Sequence, residues 1–296
     1  MIDNSPETII SSIENKRIRR TKDEIKTLLE ASLKILDAED YRISVRHLYY
    51  RLFSLGMIEN NKKSYNNLCH HLKVWRRKGK IDYNVFSDNT RWKLGPEVFD
   101  GIDDAFNDCI ETYKRDMWSN QDDYIEIWTE KDTISGVLNR AASPLGINTF
   151  ICKGNASYTA LYDAAQLFNK KIDEGKNVFI YYLGDFDPCG CNMDKRIQTD
   201  LREEYNCEIN FKRLAITEEQ IDEYGLEKQE LIKKVDYSKK WTGGVVELDA
   251  LSSDILGTLV NDAIIPHIDQ EEWDKLKVIE KDEKEIMRQI IQASRN

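Results

Sequence analysis

From Tyr124 to Ile216 the chain alternates between two periods. Runs of β-branched, aromatic and aliphatic residues stand at 124–129 (YIEIWT), 148–152 (NTFIC), 178–183 (VFIYYL) and 208–216 (EINFKRLAI). Between them, apolar residues recur at helical spacing: Ile134, Val137, Leu138 and Ala141, then Leu161, Ala164, Ala165 and Phe168, then Met193, Ile197 and Leu201. Strand and helix in strict alternation leave few architectures open. The expectation is an α/β fold with a mainly parallel sheet and right-handed helical crossovers. In such sheets binding and chemistry lie beyond the carboxyl ends of the strands.

The third run ends in Gly184-Asp185-Phe186-Asp187-Pro188. Glycine and proline punctuate a loop there, and side chains two apart on extended chain share a face, so both aspartates point the same way. Two carboxylates about 4 Å apart repel by roughly 4 kcal/mol at an effective dielectric of 20. A site holding both ionised wants a cation, and oxygen ligands suit Mg²⁺ or Mn²⁺. Glu130 ends the first run as the aspartates end the third, which gathers three carboxylates at one edge. Other readings of Asp-x-Asp are a helix-capping loop, a sugar-nucleotide transferase site and an aspartyl phosphatase. The phosphatase would place its pair after the first strand, where Glu130 stands, and a threonine or valine at Cys189. The six cysteines form no CxxC pair, so the sequence indicates neither a zinc ribbon nor a disulfide framework, and Cys189-Gly-Cys191 is a weak case for a metal or redox pair.

The N-terminal third has a different character. Thr21 and Glu24 read as a capping box opening a helix over 21–38, preceded by a basic arm of Lys16, Arg17, Arg19 and Arg20. A second helix from Ser44 carries Val45, Leu48, Tyr49 and Leu52 as its apolar stripe and stops at Gly56. A third, from Ser64, turns Tyr65, Leu68, Leu72 and Trp75 inward. Residues 61–80 hold seven Lys or Arg and no Asp or Glu, in a chain of net charge −10. Such an island is the footprint of a phosphate-binding face, with Lys62, Lys63, Lys73, Arg76 and Arg77 as its candidates. Lys80 to Asn89 then suggests the short strands of a wing, and three helices with a basic third and a β-extension suggest a winged helix. A solvated basic face is the plain alternative.

Tyr50 lies off the apolar stripe of the second helix, on the side shared by Arg46, His47 and Ser54, so an exposed position is expected. With Arg46 one turn earlier it is a candidate phosphate-directed nucleophile. A phenol is ionised to only about one part in a thousand at pH 7, a deficit of about 4 kcal/mol. A surface cation supplies about 1 kcal/mol of that, so a metal or a base must come from elsewhere.

The expected division is 1–118, N-terminal helices and winged helix, and 119–296, the parallel sheet with C-terminal helices. Within 93–120 one helix is expected, Ile102 to Met117. The tail offers Gly243-Gly244, then VVELDAL with Glu247 and Asp249 as possible further acids, then helices over about 252–265 and 269–293. No apolar run reaches the length of a membrane span and the N-terminus lacks a signal-peptide pattern, so no membrane and a cytoplasmic or nucleoid location are expected.

IWTEKD at 127–132 together with GDFDP at 184–188 resembles the Toprim domain, whose signature is a glutamate after the first strand and Asp-x-Asp after the third. With RHLYYRLF at 46–53, the chain is similar to the A subunit of type IIB topoisomerases (topoisomerase VI) and its meiotic double-strand-break relatives, most of all the compact phage and bacterial type. The resemblance spans roughly 40–251. It implies a winged helix followed by a Toprim domain, double-stranded DNA as substrate, and Tyr50 as the nucleophile that forms a 5′-phosphotyrosyl bond. It also implies Arg46 beside Tyr50 and a Mg²⁺-binding triad of Glu130, Asp185 and Asp187. Its further implications are a homodimer in which tyrosine from one subunit meets metal from the other, and a separate ATPase subunit for topoisomerase turnover. Where the family commonly has Arg-Asp, this chain has Arg46-His47. Two other readings stay open: a Toprim nuclease using metal-activated water, and a non-catalytic DNA-binding protein.

Overall fold

Thr21 and Glu24 make the reciprocal bonds of a capping box: Thr21 Oγ1 accepts the Glu24 N–H at 3.2 Å, and Glu24 Oε2 accepts the Thr21 N–H at 2.7 Å. They open helix α1 (Lys22–Ala38) in a computed structural model that describes residues 20–39, 42–87, 95–152, 158–229, 241 and 243–294. Lys16, Arg17 and Arg19 of the basic arm lie outside the described residues, as do the last residues of the expected wing. Ser44 caps α2 (Val45–Ser54), and Gly56, at φ +66°, turns the chain after it. Helix α3 (Lys62–Arg77) starts before the expected Ser64, because the side chain of Asn61 accepts the Ser64 N–H at 2.8 Å and caps the helix there.

The stretch expected as wing strands does something else. Asp82 accepts the Asn84 N–H at 2.8 Å and closes a 3₁₀ turn, Tyr83–Val85, after which Phe86 makes a single parallel bridge to Ile43. Leu28, Leu48, Leu52, Leu68, Leu72 and Trp75 fill a cluster of their own among these N-terminal elements. Helix α4 (Ile102–Thr112) ends short of Met117. The chain beyond it is turned towards the C-terminal helix, where the Tyr113 hydroxyl donates to Glu283 at 2.7 Å and the Arg115 N–H to Glu280 at 2.9 Å.

From Asp123 the chain runs β1 (Asp123–Thr129), α5 (Asp132–Ala142), β2 (Asn148–Ile151), α6 (Tyr158–Asp173), β3 (Asn177–Leu183), α7 (Pro188–Thr199), β4 (Asn210–Ala215) and α8 (Glu218–Glu223). Helices α9 (Ser253–Ile264) and α10 (Gln270–Ser294) complete it. The strands form one parallel sheet in the order β2-β1-β3-β4. Alternate residues serve opposite faces: Ile125, Ile127, Tyr181 and Leu183 pack with α5 and α9, while Trp128, Val178, Ile180 and Tyr182 pack with α6 and α7. Covering on both faces explains why the central strands β1 and β3 read as nearly continuous apolar runs. The result is a three-layered α/β fold.

After β1 the chain goes out to β2 and returns across β1 to β3, so its direction of travel reverses between β1 and β3. Their carboxyl ends, where Thr129 pairs with Leu183, open on that switch point. Among the described residues no helix is long and apolar enough to cross a membrane.

Candidate functional site

Glu130 follows Thr129 directly, and Asp185 follows Leu183 after Gly184, into the cleft between β1 and β3. One carboxylate oxygen of Glu130 accepts the backbone N–H of Asp185 at 3.1 Å. Asp187 is the N-cap of α7, its Oδ1 accepting the Gly190 N–H at 2.6 Å. Gly190 must be glycine, since a Cβ there would run into the Asp185 carbonyl oxygen. Arg213, at the end of β4, donates to the carbonyls of Gly184 and Asp185 and pairs with Asp194 at 2.5 Å, which fixes the loop from below.

A second segment is strapped onto this loop. Val246 and Phe186 exchange backbone hydrogen bonds of 2.9 and 3.0 Å, and the Leu248 N–H donates to Asp185 Oδ1 at 2.7 Å. The strap brings Glu247 and Asp249 to the same edge. Between them and Asp185 sits the ammonium of Lys131, 2.8 Å from Asp185 Oδ1 and 2.9 Å from Asp249 Oδ2, and also paired with Glu247. Burial opposes the charge of Lys131, but Asp185, Asp249 and Glu247 outweigh it and hold its pKa well above the ordinary lysine value. Burial pushes Asp185 well above the usual carboxylate range against the pull of Lys131, and the charges of Glu247 and Glu130 push it further. The two shifts agree physically: one ammonium serves three carboxylates, so negative charge remains in excess. Glu130 is raised too, by burial first and by Asp187 as well.

Helix α2 packs against the 3₁₀ turn Leu248–Ala250 and so closes the site from the other side. The expectation that Tyr50 stands exposed is overturned: it is 5% exposed, because its ring packs beside Tyr49 in the N-terminal cluster while Lys131 and the strap cover the rest of that side of α2. The same covering leaves His47 fully buried, where burial lowers its pKa while Asp249 and Glu39 pull it back. Arg46 donates to the Tyr50 hydroxyl at 3.1 Å, and the Lys131 ammonium lies 5.3 Å from the Tyr50 ring centre. Two cations do not activate the phenol. Burial and the charge of Glu247 together hold its pKa above the free-tyrosine value.

A cavity of about 470 Å³ lies between the two lobes. Arg46, Tyr50 and Lys62 line one side and Asp187, Gln229 and Glu247 the other, so the tyrosine and the acids expected to act together meet at one opening. Of the candidate phosphate-binding cations, Lys62 alone lines this cavity; Lys63, Lys73 and Arg77 are exposed on α3. Arg76 is committed otherwise. Its guanidinium stacks over Tyr83 and Phe86 at 5.5 and 5.2 Å, and its Nε donates to the Leu72 carbonyl at 3.3 Å.

Among the described residues no three His, Cys, Asp or Glu side chains are arranged to hold a metal ion. The donor set nonetheless suits a hard cation bound through few protein ligands, since Mg²⁺ is usually held by one or two carboxylates with water and substrate phosphate completing its shell. The candidate donors at the edge are carboxylate oxygens, and burial first, with neighbouring negative charge second, holds both Glu130 and Asp185 above the ordinary carboxylate range. Lys131, Glu247 and Asp249 are the site residues that pattern reading undervalued. The signal for them was present in Glu247-Leu248-Asp249, which repeats the two-residue spacing of Asp185 and Asp187. The sequence matches no protein-family model and no curated protein.

Proposed function

We propose that the chain is a Mg²⁺-dependent enzyme that cleaves a DNA phosphodiester at the cavity between its lobes, in the manner of topoisomerase VI A subunits. One observation carries the reading: Tyr50 and Arg46 of α2 line the same cavity as Asp187 and Glu247. On this reading the N-terminal helices are a winged-helix-type lobe that holds duplex DNA through the exposed cations of α3. The sheet is a Toprim-type lobe, whose acids lie at the switch point where α/β sheets bind ligands. A homodimer and a separate ATPase subunit belong to the same reading.

Tyr50 Oη attacks phosphorus in line, the 3′-oxygen leaves with the electron pair and takes up a proton, and a 5′-phosphotyrosyl link remains. The phenolic proton must leave as that bond forms. Arg46, already bonded to the hydroxyl oxygen, stabilises the phenolate that develops. Glu130 and Asp187 would hold the metal, with Asp185 beside them; bound there, Mg²⁺ supplies charge stabilisation at the phosphate oxygens. Lys131 keeps Asp185, Glu247 and Asp249 together and shields the phosphate from their charge.

A second reading has its own support. Burial and Glu247 hold the Tyr50 phenol protonated, which favours water as nucleophile and Tyr50 as a hydrogen-bonding wall. Incubation with supercoiled plasmid and Mg²⁺, resolved on a denaturing gel, separates the two. Tyrosine attack predicts a covalent protein–DNA adduct, and Tyr50→Phe should lower cleavage by at least about a thousandfold. Cleavage that survives Tyr50→Phe would reject it in favour of water. A parent protein that cleaves nothing, and whose salt-dependent affinity for DNA is unchanged by Asp185→Asn combined with Asp187→Asn, would reject both and leave a DNA-binding protein.

A further inference from the structure

We infer that α3 reads base sequence as well as holding duplex DNA: Asn66 and Asn67 meet adenine edges in the major groove, while Lys63, Lys73 and Arg77 hold the phosphates on either side. This rests on the duplex substrate proposed above and gives it a preferred site. Lys63, Asn66, His70, Lys73 and Arg77 follow one another at intervals of three or four, with Asn67 beside Asn66, and all are exposed, so they form one face along the helix. The arrangement of charge on that face is the first argument. Lys63 stands at its start, with Lys73 and Arg77 about 15 and 21 Å further along the axis and uncharged side chains between. A helix about 10–12 Å across enters the major groove, about 12 Å wide, but not the minor groove, about 6 Å wide. With α3 laid there, the long cations at its two ends reach the phosphates that wall the groove, and the shorter side chains between them face base edges.

The amides themselves are the second argument. Asparagine is a poor helix former, yet Asn66 and Asn67 sit side by side in the interior of α3. Among the described residues neither side chain makes a hydrogen bond. Nearby asparagines are tied down: Asn61 accepts the Ser64 N–H at 2.8 Å, and Asn60 accepts the Tyr49 hydroxyl at 3.0 Å and donates to Gln229. Two amides that disfavour the helix and hold nothing within the chain are placed to serve a ligand. A carboxamide matches adenine in the major groove, its oxygen accepting from N6–H and its N–H donating to N7. Position is the third argument. Lys62, at the head of α3, lines the cavity with Arg46 and Tyr50. A strand held at that end of the helix runs on to Tyr50, so the base pairs read one turn along α3 lie a few steps from the phosphodiester to be cut.

Selection on the full chain in EDTA, from a pool of short duplexes with a randomised centre, tests this without requiring cleavage. Bound duplexes should be enriched in A·T pairs at neighbouring positions, each raising affinity about tenfold over G·C. In anisotropy titrations the enriched duplex should lose that advantage against Asn66→Ala combined with Asn67→Ala. It should also lose it against the parent protein when 7-deazaadenine replaces adenine, which removes N7 from the major groove and leaves base pairing intact. Lys73→Ala should instead weaken all duplexes alike. Both asparagines are exposed and alanine favours helix, so the double variant should melt no lower than the parent; the 7-deazaadenine comparison needs no variant at all. A pool that shows no enrichment overturns the inference. So does a preference that persists in the double variant or survives 7-deazaadenine, since the duplex would then be read by its shape. A covalent adduct in the plasmid assay without an enriched motif would sink this inference and leave the enzyme reading standing; an enriched motif without cleavage would do the reverse.

Discussion

With its ammonium shared among Asp185, Glu247 and Asp249, Lys131 neutralises a region that would otherwise bury three carboxylates without a direct counter-charge. Lys131→Met keeps most of the side-chain volume and removes the charge. Breaking a buried pair from one side costs about 3–5 kcal/mol, so the urea midpoint should fall by that equivalent, and millimolar Mg²⁺ should restore part of the loss by supplying positive charge to the same acids. Glu126 makes the opposite case. It lies in the middle of β1, accepts the Tyr124 hydroxyl and the Trp128 indole N–H, both at 2.7 Å, and is held above the usual carboxylate range by burial, against the pull of those two bonds. Between the ordinary glutamate pKa and this raised value the folded chain keeps a proton that the unfolded chain has lost. Stability therefore falls as pH rises through that window. Gln at this position retains an acceptor for Trp128 and offers a donor to Tyr124. Glu126→Gln should match the parent protein in melting temperature near pH 4 and exceed it increasingly towards neutrality; a difference that does not change with pH would contradict the burial argument. Neither role was legible beforehand: the partners of Lys131 lie in distant loops, and Glu126 reads simply as the polar position of an alternating strand.

Among the elements, the central strands β1 and β3 were legible because each is a short apolar run bounded by loop residues, and covering on both faces made those runs nearly continuous, while the edge strands β2 and β4 carry polar residues and were legible from their place in the alternation. The capped helices were equally plain from Thr21, Ser44 and Ser252. What failed was local competition between turn chemistry and strand propensity. Ile81, Tyr83, Val85 and Phe86 look like strand residues, yet Asp82 caps a turn through them and leaves one bridge to Ile43. That turn changes the part assigned to the basic helix. Arg76 stacks on Tyr83 and Phe86 and holds the turn to α3, whereas Lys73 and Arg77 remain exposed. Replacing Lys73 and Arg77 together with Ala should leave the melting temperature within a degree or two. It should also flatten the dependence of log affinity for duplex DNA on log salt by about 1.8, since each lost phosphate contact removes about 0.9. Arg76→Ala should do the reverse, lowering stability by about 1 kcal/mol with little change in the salt slope. Equal slopes in all three proteins would mean that α3 is a solvated face and the duplex lies elsewhere.

At the scale of the whole molecule, the buried position of Tyr50 follows in part from contact between segments almost 200 residues apart in sequence, which no helical stripe reveals. Helix α2 offers Arg46, His47 and Tyr50 on one side, and the turn Leu248–Ala250 with the Lys131 cluster closes over it. This packing bears on how the chain would work with a second copy. The resemblance to topoisomerase VI A subunits implies a tyrosine from one subunit acting at the metal of the other, but here Tyr50 and Asp187 of one chain line one cavity. Two variants separate action within a chain from action between chains. Tyr50→Phe gives up only the hydroxyl bonded to Arg46. Asp187→Asn keeps a side chain equally able to cap α7, so both should fold normally. Each alone should be inactive on supercoiled DNA. If each cavity is complete within its own chain, a mixture of the two, unfolded and refolded together to allow exchange, should remain inactive. Recovery of cleavage in the mixture would require an intact tyrosine from one subunit to reach intact acids on another, and the two lobes would then have to separate before DNA is cut.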